Sequence, residues 1–252
     1  MLDILILSII QGITEFLPIS SSSHLILASE YLDFKNQNLS IDVSLHIGSF
    51  IAVIFYFYKD IINFFENKFL FLKIFISSIP VIIVGYILIN LGVMERIRNL
   101  EVIAWTTFLF GLLLFVSDKF KIDKKLKKDF TYQKALFIGI LQILSLVPGV
   151  SRSGIAITAA RFLNFKRIDS AKISFLISIP ILGAVSIFGL KNIIFSDDVV
   201  FTNLNLAAIF LSFLISYITI KYFLIYINKF SLNIFVFYRV VLGVILLFIT
   251  YL

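Results

Sequence analysis

Gln11–His24 reads QGITEFLPISSSSH and interrupts the first apolar segment of a 252-residue chain. A carboxylate, a proline, four serines and a histidine stand where a membrane helix would carry only apolar residues. The rest of the chain makes a membrane helix the right frame. Hydrophobic residues make up 60% and charged residues 15%, against ~45–50% and ~25% in soluble domains. The excess is gathered into the runs Ile47–Tyr58, Phe69–Leu91, Val102–Val116, Ile173–Leu190, Leu204–Tyr226 and Ile234–Leu252. A bilayer-spanning helix needs roughly 17–25 mostly apolar residues. These runs reach that length alone or with their flanks. The sequence therefore predicts an all-α polytopic membrane protein.

No separate soluble domain is expected, because the longest polar stretch, Ser117–Gln133, is too short to fold alone. The N-terminus does not resemble a cleaved signal peptide: it carries Asp3 rather than a basic region. The chain has no cysteine, which excludes disulfides, thiolate metal sites and cysteine nucleophiles.

The opening stretch has an echo. Pro18 set on Pro148 places Ser21 on Ser151, Ser22 on Arg152 and Ser23 on Ser153, at an offset of 130 residues, about half the chain. At that offset the later apolar runs also fall on one another. The chain then divides into halves of about 1–125 and 131–252 within one integral membrane domain. A second alignment, of Phe75–Pro80 (FISSIP) with Phe175–Pro180 (FLISIP), breaks the pattern of spans and is set aside.

Each half opens on a broken segment. Met1–Gln11 is too short to cross a bilayer at ~1.5 Å per residue. Pro18 lacks an N–H and disfavours helix at Leu17, and Pro148–Gly149 does the same in the second half. A break at membrane depth is tolerated only where protein or water surrounds it. Leu2–Tyr31 and Tyr132–Phe162 are thus expected as re-entrant hairpins, each followed by three spans. Three is odd, so the second half is inverted relative to the first, an architecture that builds sites at the repeat interface.

Charge orients the bundle. With both termini on one side, that side holds Lys35, Arg96, Arg98 and Lys191 among many acids, including Asp33, Asp197 and Asp198. The other side holds Lys59, Lys68, the cluster Lys119/Lys121/Lys124/Lys125/Lys127/Lys128, Lys166, Arg167 and Lys229. The positive-inside rule makes the second side cytoplasmic, so both termini are expected outside. The lysine run reads as a solvated linker that sets orientation, in preference to a lipid or nucleic-acid site.

Ionisable groups within membrane segments are functional hypotheses by default. Glu15 and Arg152 are the clearest, and the repeat brings their loops together. They could simply pair to hold the hairpins. The hydroxyls of Ser20–Ser23, Ser151 and Ser153 point further. Gly149 and Gly154 permit close backbone approach, and each restarting helix offers N-terminal amides, a ready anion site. Arginine with hydroxyls and amides suits phosphate oxygens.

EFLPISSSSH (Glu15–His24) resembles the first signature of the bacitracin-resistance type of undecaprenyl-diphosphate phosphatase, and PGVSRSG (Pro148–Gly154) resembles its second. The resemblance covers the whole chain. It implies hydrolysis of undecaprenyl diphosphate to undecaprenyl phosphate and inorganic phosphate, recycling the lipid carrier of cell-wall synthesis. It implies catalytic roles for Glu15, Ser21, His24 and Arg152, and substrate contacts from Gln11, Ser22, Ser151, Ser153 and Gly149. It further implies a divalent cation, Mg²⁺ or Ca²⁺, held by Glu15. Gln11 stands where many relatives have a glutamate, Ser23 where a glycine is usual and Ala156 where a threonine is usual. Glu15 is thereby left as the lone carboxylate of its motif. Ser21 is the candidate nucleophile or a close substrate contact; direct attack by water activated by Glu15 or His24 is the other route. His46 lies in the following span and reads as structural or auxiliary.

The partners implied are the polyprenyl diphosphate and the bilayer of the plasma (inner) membrane, without nucleic acid; a homo-oligomer is compatible. A second class of membrane phosphatase needs a histidine six residues after its motif arginine, where this chain has Thr158. The alternative from another functional class is a transporter or flippase of a polyprenyl phosphate, because inverted repeats also build carriers.

Overall fold

The computed structural model describes residues 1–32, 34, 38–66, 68–120, 122–194 and 201–252, without the side chains of 63–66, 192 and 194. The charges Asp33, Lys35, Lys121, Asp197 and Asp198, used above to orient the bundle, lie outside the described residues. The first half runs α1 (Leu2–Thr14), α2 (Ser21–Leu32), α3 (Leu39–Tyr56), α4 (Tyr58–Glu66), α5 (Lys68–Asn90), α6 (Val93–Arg96) and α7 (Leu100–Asp118). The second runs α8 (Leu126–Asp129), α9 (Tyr132–Gln142), a 3₁₀ turn (Ile143–Leu146), α10 (Arg152–Phe162), α11 (Arg167–Ile194), α12 (Asn203–Lys229) and α13 (Asn233–Tyr251). Six helices, α3, α5, α7, α11, α12 and α13, are long and apolar enough to cross a membrane. The six apolar runs read from the sequence fall on them to within two residues at their ends.

Local chemistry sets the helix starts. Asn38 accepts from the Ile41 amide to open α3, and Asn99 does the same for Val102 in α7. Thr202 and Asn205 form a reciprocal cap on α12. Such caps satisfy amides that a helix start otherwise leaves without partners.

The two short helix pairs break where expected. After α1 the chain turns through Glu15–Ser20, and after α9 and its 3₁₀ turn it passes through Val147–Ser151. Each restart is made by a serine in the left-handed region, Ser20 at φ 76° and Ser151 at φ 72°. An L-residue rarely adopts that backbone. These serines are 131 residues apart, whereas the prolines are 130 apart. The extra residue is Gly149, at φ 92°. Ser21 is therefore equivalent to Arg152, not to Ser151 as the proline alignment suggests: each is the first residue of its helix.

Packing surrounds these breaks with protein: Phe16, Ile19, Ser20, Val150 and Ser151 are all buried. α1 lies on α12 while α9 lies on α5, and α3 lies on α12 while α11 lies on α5. α3 also packs on α11, and α7 on α13. Between α3 and α12 the contact is close: a Cβ at Gly48 would collide with the Ile209 carbonyl. The same seam is bonded by hydroxyls, Ser49 to Ser216 at 3.0 Å and to Ser212 at 3.2 Å, with the Asn205 amide on Ser40 and Ser44 at 3.0 Å each. Small and hydroxylic residues at helix contacts are what apolar surroundings favour, at about 0.6 kcal/mol per bond. The discarded FISSIP and FLISIP stretches do meet in space, on α5 and α11, where the Ser78 hydroxyl donates to the Ile177 carbonyl at 3.2 Å.

At the lysine-rich end, Asp118 closes α7 by accepting from Arg167 at 2.7 and 3.0 Å and from the Leu232 amide at 3.2 Å, while Arg161 lies 3.4 Å away. Arg161 also donates to the Asp118 and Phe120 carbonyls. One aspartate thus joins the ends of α7, α10, α11 and α13.

Candidate active site

The break after α1 leaves Glu15 just past the last helical turn, its amide still bonded to the Gln11 carbonyl. The break after α9 makes Arg152 the first residue of α10. The two meet: Arg152 Nη2 donates to Glu15 Oε1 at 2.7 Å, with side-chain exposures of 11% and 6%. The other oxygen, Oε2, accepts the Ser21 hydroxyl at 2.6 Å and Gln11 Nε2 at 3.1 Å. One buried carboxylate therefore holds the guanidinium of one half and the hydroxyl of the other. Losing one partner of such a pair typically costs ~3–5 kcal/mol, because it strands a buried charge.

The remaining residues read from the sequence fall into two groups. Ser153 donates to the Leu17 carbonyl at 2.7 Å and lies 3.2 Å from the Ser151 hydroxyl, so both sit in the joint between the breaks. Ser151 also caps α10 by accepting from the Gly154 amide, which commits one of the amides expected to face a ligand. Ser22 is exposed, 3.3 Å from Ser20. Gly149 faces α7: a Cβ there would overlap the Thr106 hydroxyl. His24 keeps Nδ1 2.6 Å from the Ser20 carbonyl and Nε2 2.6 Å from the Tyr238 hydroxyl. His46 Nδ1 is 2.7 Å from the Asp42 carbonyl of its own helix, outside the cluster's hydrogen bonds.

The chain has counterparts among known proteins. A family model described as "Bacitracin resistance protein BacA" matches residues 4–245. An undecaprenyl-diphosphatase of Pelagibacter ubique (strain HTCC1062) is 49% identical over 99% of this chain and 98% of its own. One from Campylobacter curvus (strain 525.92) is 42% identical over 98% of this chain and 97% of its own. One from Saccharophagus degradans is 42% identical over 94% of this chain and 93% of its own. The chain belongs to the bacitracin resistance protein BacA family. With its six apolar helices it is a multi-pass membrane protein.

In this BacA-family chain one residue central to the site escaped the sequence reading. Arg239 of α13 is fully buried. Its guanidinium donates to Pro18 O and Val150 O at 3.1 Å, Gly149 O at 2.7 Å, Thr107 O at 3.3 Å and Thr106 O at 3.4 Å. It ties the backbone of both breaks to α7, satisfying carbonyls that the prolines and the glycine leave outside any helix. A lone arginine within IFVFYRVVLG (234–243) was the available signal, because a mid-span charge needs partners. Tyr238, its neighbour, was missed as well. Its hydroxyl is the partner of His24 Nε2, and the two rings stack at 5.7 Å.

The donor set can be tested against a divalent cation. Among the described residues no three His, Cys, Asp or Glu groups cluster. Gln11 Oε1, however, is buried without a hydrogen-bond partner, and the same amide's nitrogen reaches Glu15. One carboxylate with one unpartnered amide oxygen suits a hard, oxygen-seeking ion whose other ligands are water and substrate phosphates.

Proposed function

We propose that this protein hydrolyses undecaprenyl diphosphate to undecaprenyl phosphate and inorganic phosphate, which returns the lipid carrier to cell-wall synthesis. Its relatives bear the name undecaprenyl-diphosphatase, and the carrier-only reading finds no support among them. The observation that carries the reading is the double grip of Glu15 on Arg152 and Ser21. Hydroxyl and carboxylate at 2.6 Å are a nucleophile and its base within transfer distance. The guanidinium beside them answers the charge of a transferring phosphoryl group, where positioning and electrostatics supply most of the rate.

In the route this geometry favours, Ser21 Oγ attacks the terminal phosphorus and its proton passes to Glu15. The bond to the bridging oxygen breaks, and undecaprenyl phosphate leaves with the electron pair. Water then cleaves the serine phosphoester, giving inorganic phosphate and restoring the hydroxyl. Arg152 keeps N–H groups beyond those on Glu15 and the Ser174 carbonyl for phosphate oxygens. Glu15 and Gln11 would hold Mg²⁺ or Ca²⁺, which when bound neutralises diphosphate charge. Ser151 and Ser153 hold the joint between the breaks, and His24 with Tyr238 lines its edge.

The re-entrant placement of both breaks, the inverted halves, the plasma membrane location and outward termini belong to the same proposal. Exchange of α1 with α9, α3 with α11 and α5 with α12 converts the α1–α12 contact into α9–α5, and α3–α12 into α11–α5, as a two-fold relation requires.

Purified protein in detergent, given a prenyl diphosphate, is expected to release phosphate only with a divalent cation. Arg152→Ala should lose at least about a hundredfold in kcat/KM, as when a transition-state donor is removed. Binding without phosphate release under any divalent cation would overturn the enzyme reading.

A further inference from the structure

The lysine run between the halves is anchored along its second half. Lys124 pairs with Phe165 in a short parallel bridge: its amide donates to the Asn164 carbonyl at 3.1 Å, and the Lys166 amide donates to its carbonyl at 3.0 Å. The Lys125 amide is bonded to the Asp129 carboxylate at 2.8 Å. Leu126 packs on the core and Phe130 is buried within it. These anchors hold the turn of α8 over a cavity of about 780 Å³. Lys125, Lys127 and Lys128 line it from the turn, Lys73 from α5 and Lys172 from α11. Among the described residues of the lining Asp60 and Asp169 are the only acids, so its five lysines less two aspartates leave three positive charges. None of the five lysines is within ion-pair distance of a carboxylate among the described residues.

The floor of the cavity is apolar, with Phe57, Leu70, Leu126, Phe130 and Leu176. Beside Lys73 on α5, Phe69, Phe71 and Leu72 are exposed. The cavity shares no residue with the catalytic cluster. Phe175 stands between them, 5.3 Å edge-on from Phe16, next to Glu15, and 6.3 Å from Phe57 on the cavity wall. Ammonium groups gathered around one space repel each other unless an anion enters. An apolar floor and apolar flank suit an anion that carries a hydrocarbon chain.

We propose that this cavity is a binding site for the phosphate headgroup of an anionic membrane lipid, separate from the catalytic cluster. The lysines take the phosphate, and the chains lie along the exposed face of α5. Basic clusters at the inner membrane surface attract anionic lipid in this way.

Native mass spectrometry of the full-length protein in detergent, titrated with phosphatidylglycerol, phosphatidylcholine or inorganic phosphate, tests the site. Phosphatidylglycerol should be retained at least about tenfold better than phosphatidylcholine, with affinity falling about fivefold per lysine removed. Lys73→Gln/Lys172→Gln changes the helix walls, and Lys127→Gln/Lys128→Gln changes only the turn, so a folding defect in the first leaves the second as the test. Phosphate release from a short soluble prenyl diphosphate should stay within about twofold in both, which separates this site from the catalytic reading. Equal retention of the two lipids, unchanged phosphatidylglycerol binding in the folded variants, or saturation by inorganic phosphate without lipid preference would each overturn the proposal.

Discussion

The two breaks use one backbone solution for different ends. Each contains a proline, and each restarts its helix through a left-handed serine, Ser20 or Ser151. Each is preceded by a buried glutamine whose Oε1 has no hydrogen-bond partner, Gln11 or Gln142. The side chains then diverge. In the first break Gln11 reaches a carboxylate and the new helix opens on a hydroxyl, Ser21. In the second, Gln142 donates to the Ser77 carbonyl of α5 and the helix opens on a guanidinium, Arg152. Two like backbone frames deliver unlike groups to one carboxylate. Chemistry needs that inequality, because a symmetric pair would place like charges together. The added Gly149 accommodates it, by setting the second restart one residue later.

The strongest way to break this comparison is to remove the charge on which both halves converge. Glu15→Gln keeps the shape and a hydrogen bond to Ser21 but takes away the base and the partner of Arg152. Phosphate release should fall by about 10²–10⁴-fold, while equilibrium binding of a diphosphate stays within about tenfold. Single-turnover phosphate release beside a binding isotherm separates the two. Full activity in this variant would remove Glu15 from the chemistry.

Next in size is the residue that holds both breaks at once. Arg239→Leu leaves buried carbonyls at Pro18, Gly149 and Val150 without their donor, each at a cost of about 1–3 kcal/mol. The thermal midpoint in detergent should drop sharply. Arg239→Lys should recover only part of the loss, because a single ammonium cannot reach every acceptor of a planar fork. If the midpoint holds in Arg239→Leu, the breaks are self-supporting and their likeness owes nothing to the shared arginine.

What could be read from the sequence follows from which atoms carry each feature. The spans were legible because burial in lipid is written in side-chain composition along each helix. The breaks were legible because Pro18 and Pro148 remove backbone donors amid serine, glycine and charge, whereas Pro80 and Pro180, set in apolar runs, stay within the continuous helices α5 and α11. The meeting of Glu15 and Arg152 was legible because a charge in an apolar segment needs a partner and the repeat supplied one. Arg239 was harder: its acceptors are main-chain carbonyls, which any residue provides, so nothing in the sequence names them. The one-residue shift at Gly149 was hidden because aligned prolines mark where a helix stops, whereas the left-handed serine marks where the next one starts. The anchoring of the second half of the lysine run was not legible, because its anchors are backbone bonds to Asn164 and Lys166, set by the turn after α10.

The finest test concerns the edge of the first break, where His24 has a partner that the second break lacks. At the equivalent place α10 carries Ile155, since Ser20 and Ser151 correspond. The Ser20 carbonyl, 2.6 Å from His24 Nδ1, fixes which nitrogen of the neutral ring carries the proton, because a carbonyl can only accept and Nδ1 must donate to it; the Tyr238 hydroxyl lies 2.6 Å from Nε2. Nε2 is then an acceptor and Tyr238 its donor. Tyr238→Phe removes that donor and keeps the ring stack. A single hydrogen bond contributes about 0.5–1.5 kcal/mol, so kcat should fall by about two- to tenfold, with the thermal midpoint nearly unchanged. If His24 moves a proton in the reaction, the freed nitrogen should also shift the pH profile of kcat. If His24 only braces α2, kcat will fall uniformly across the profile or not at all, and the asymmetry between the breaks narrows to Glu15, Ser21 and Arg152.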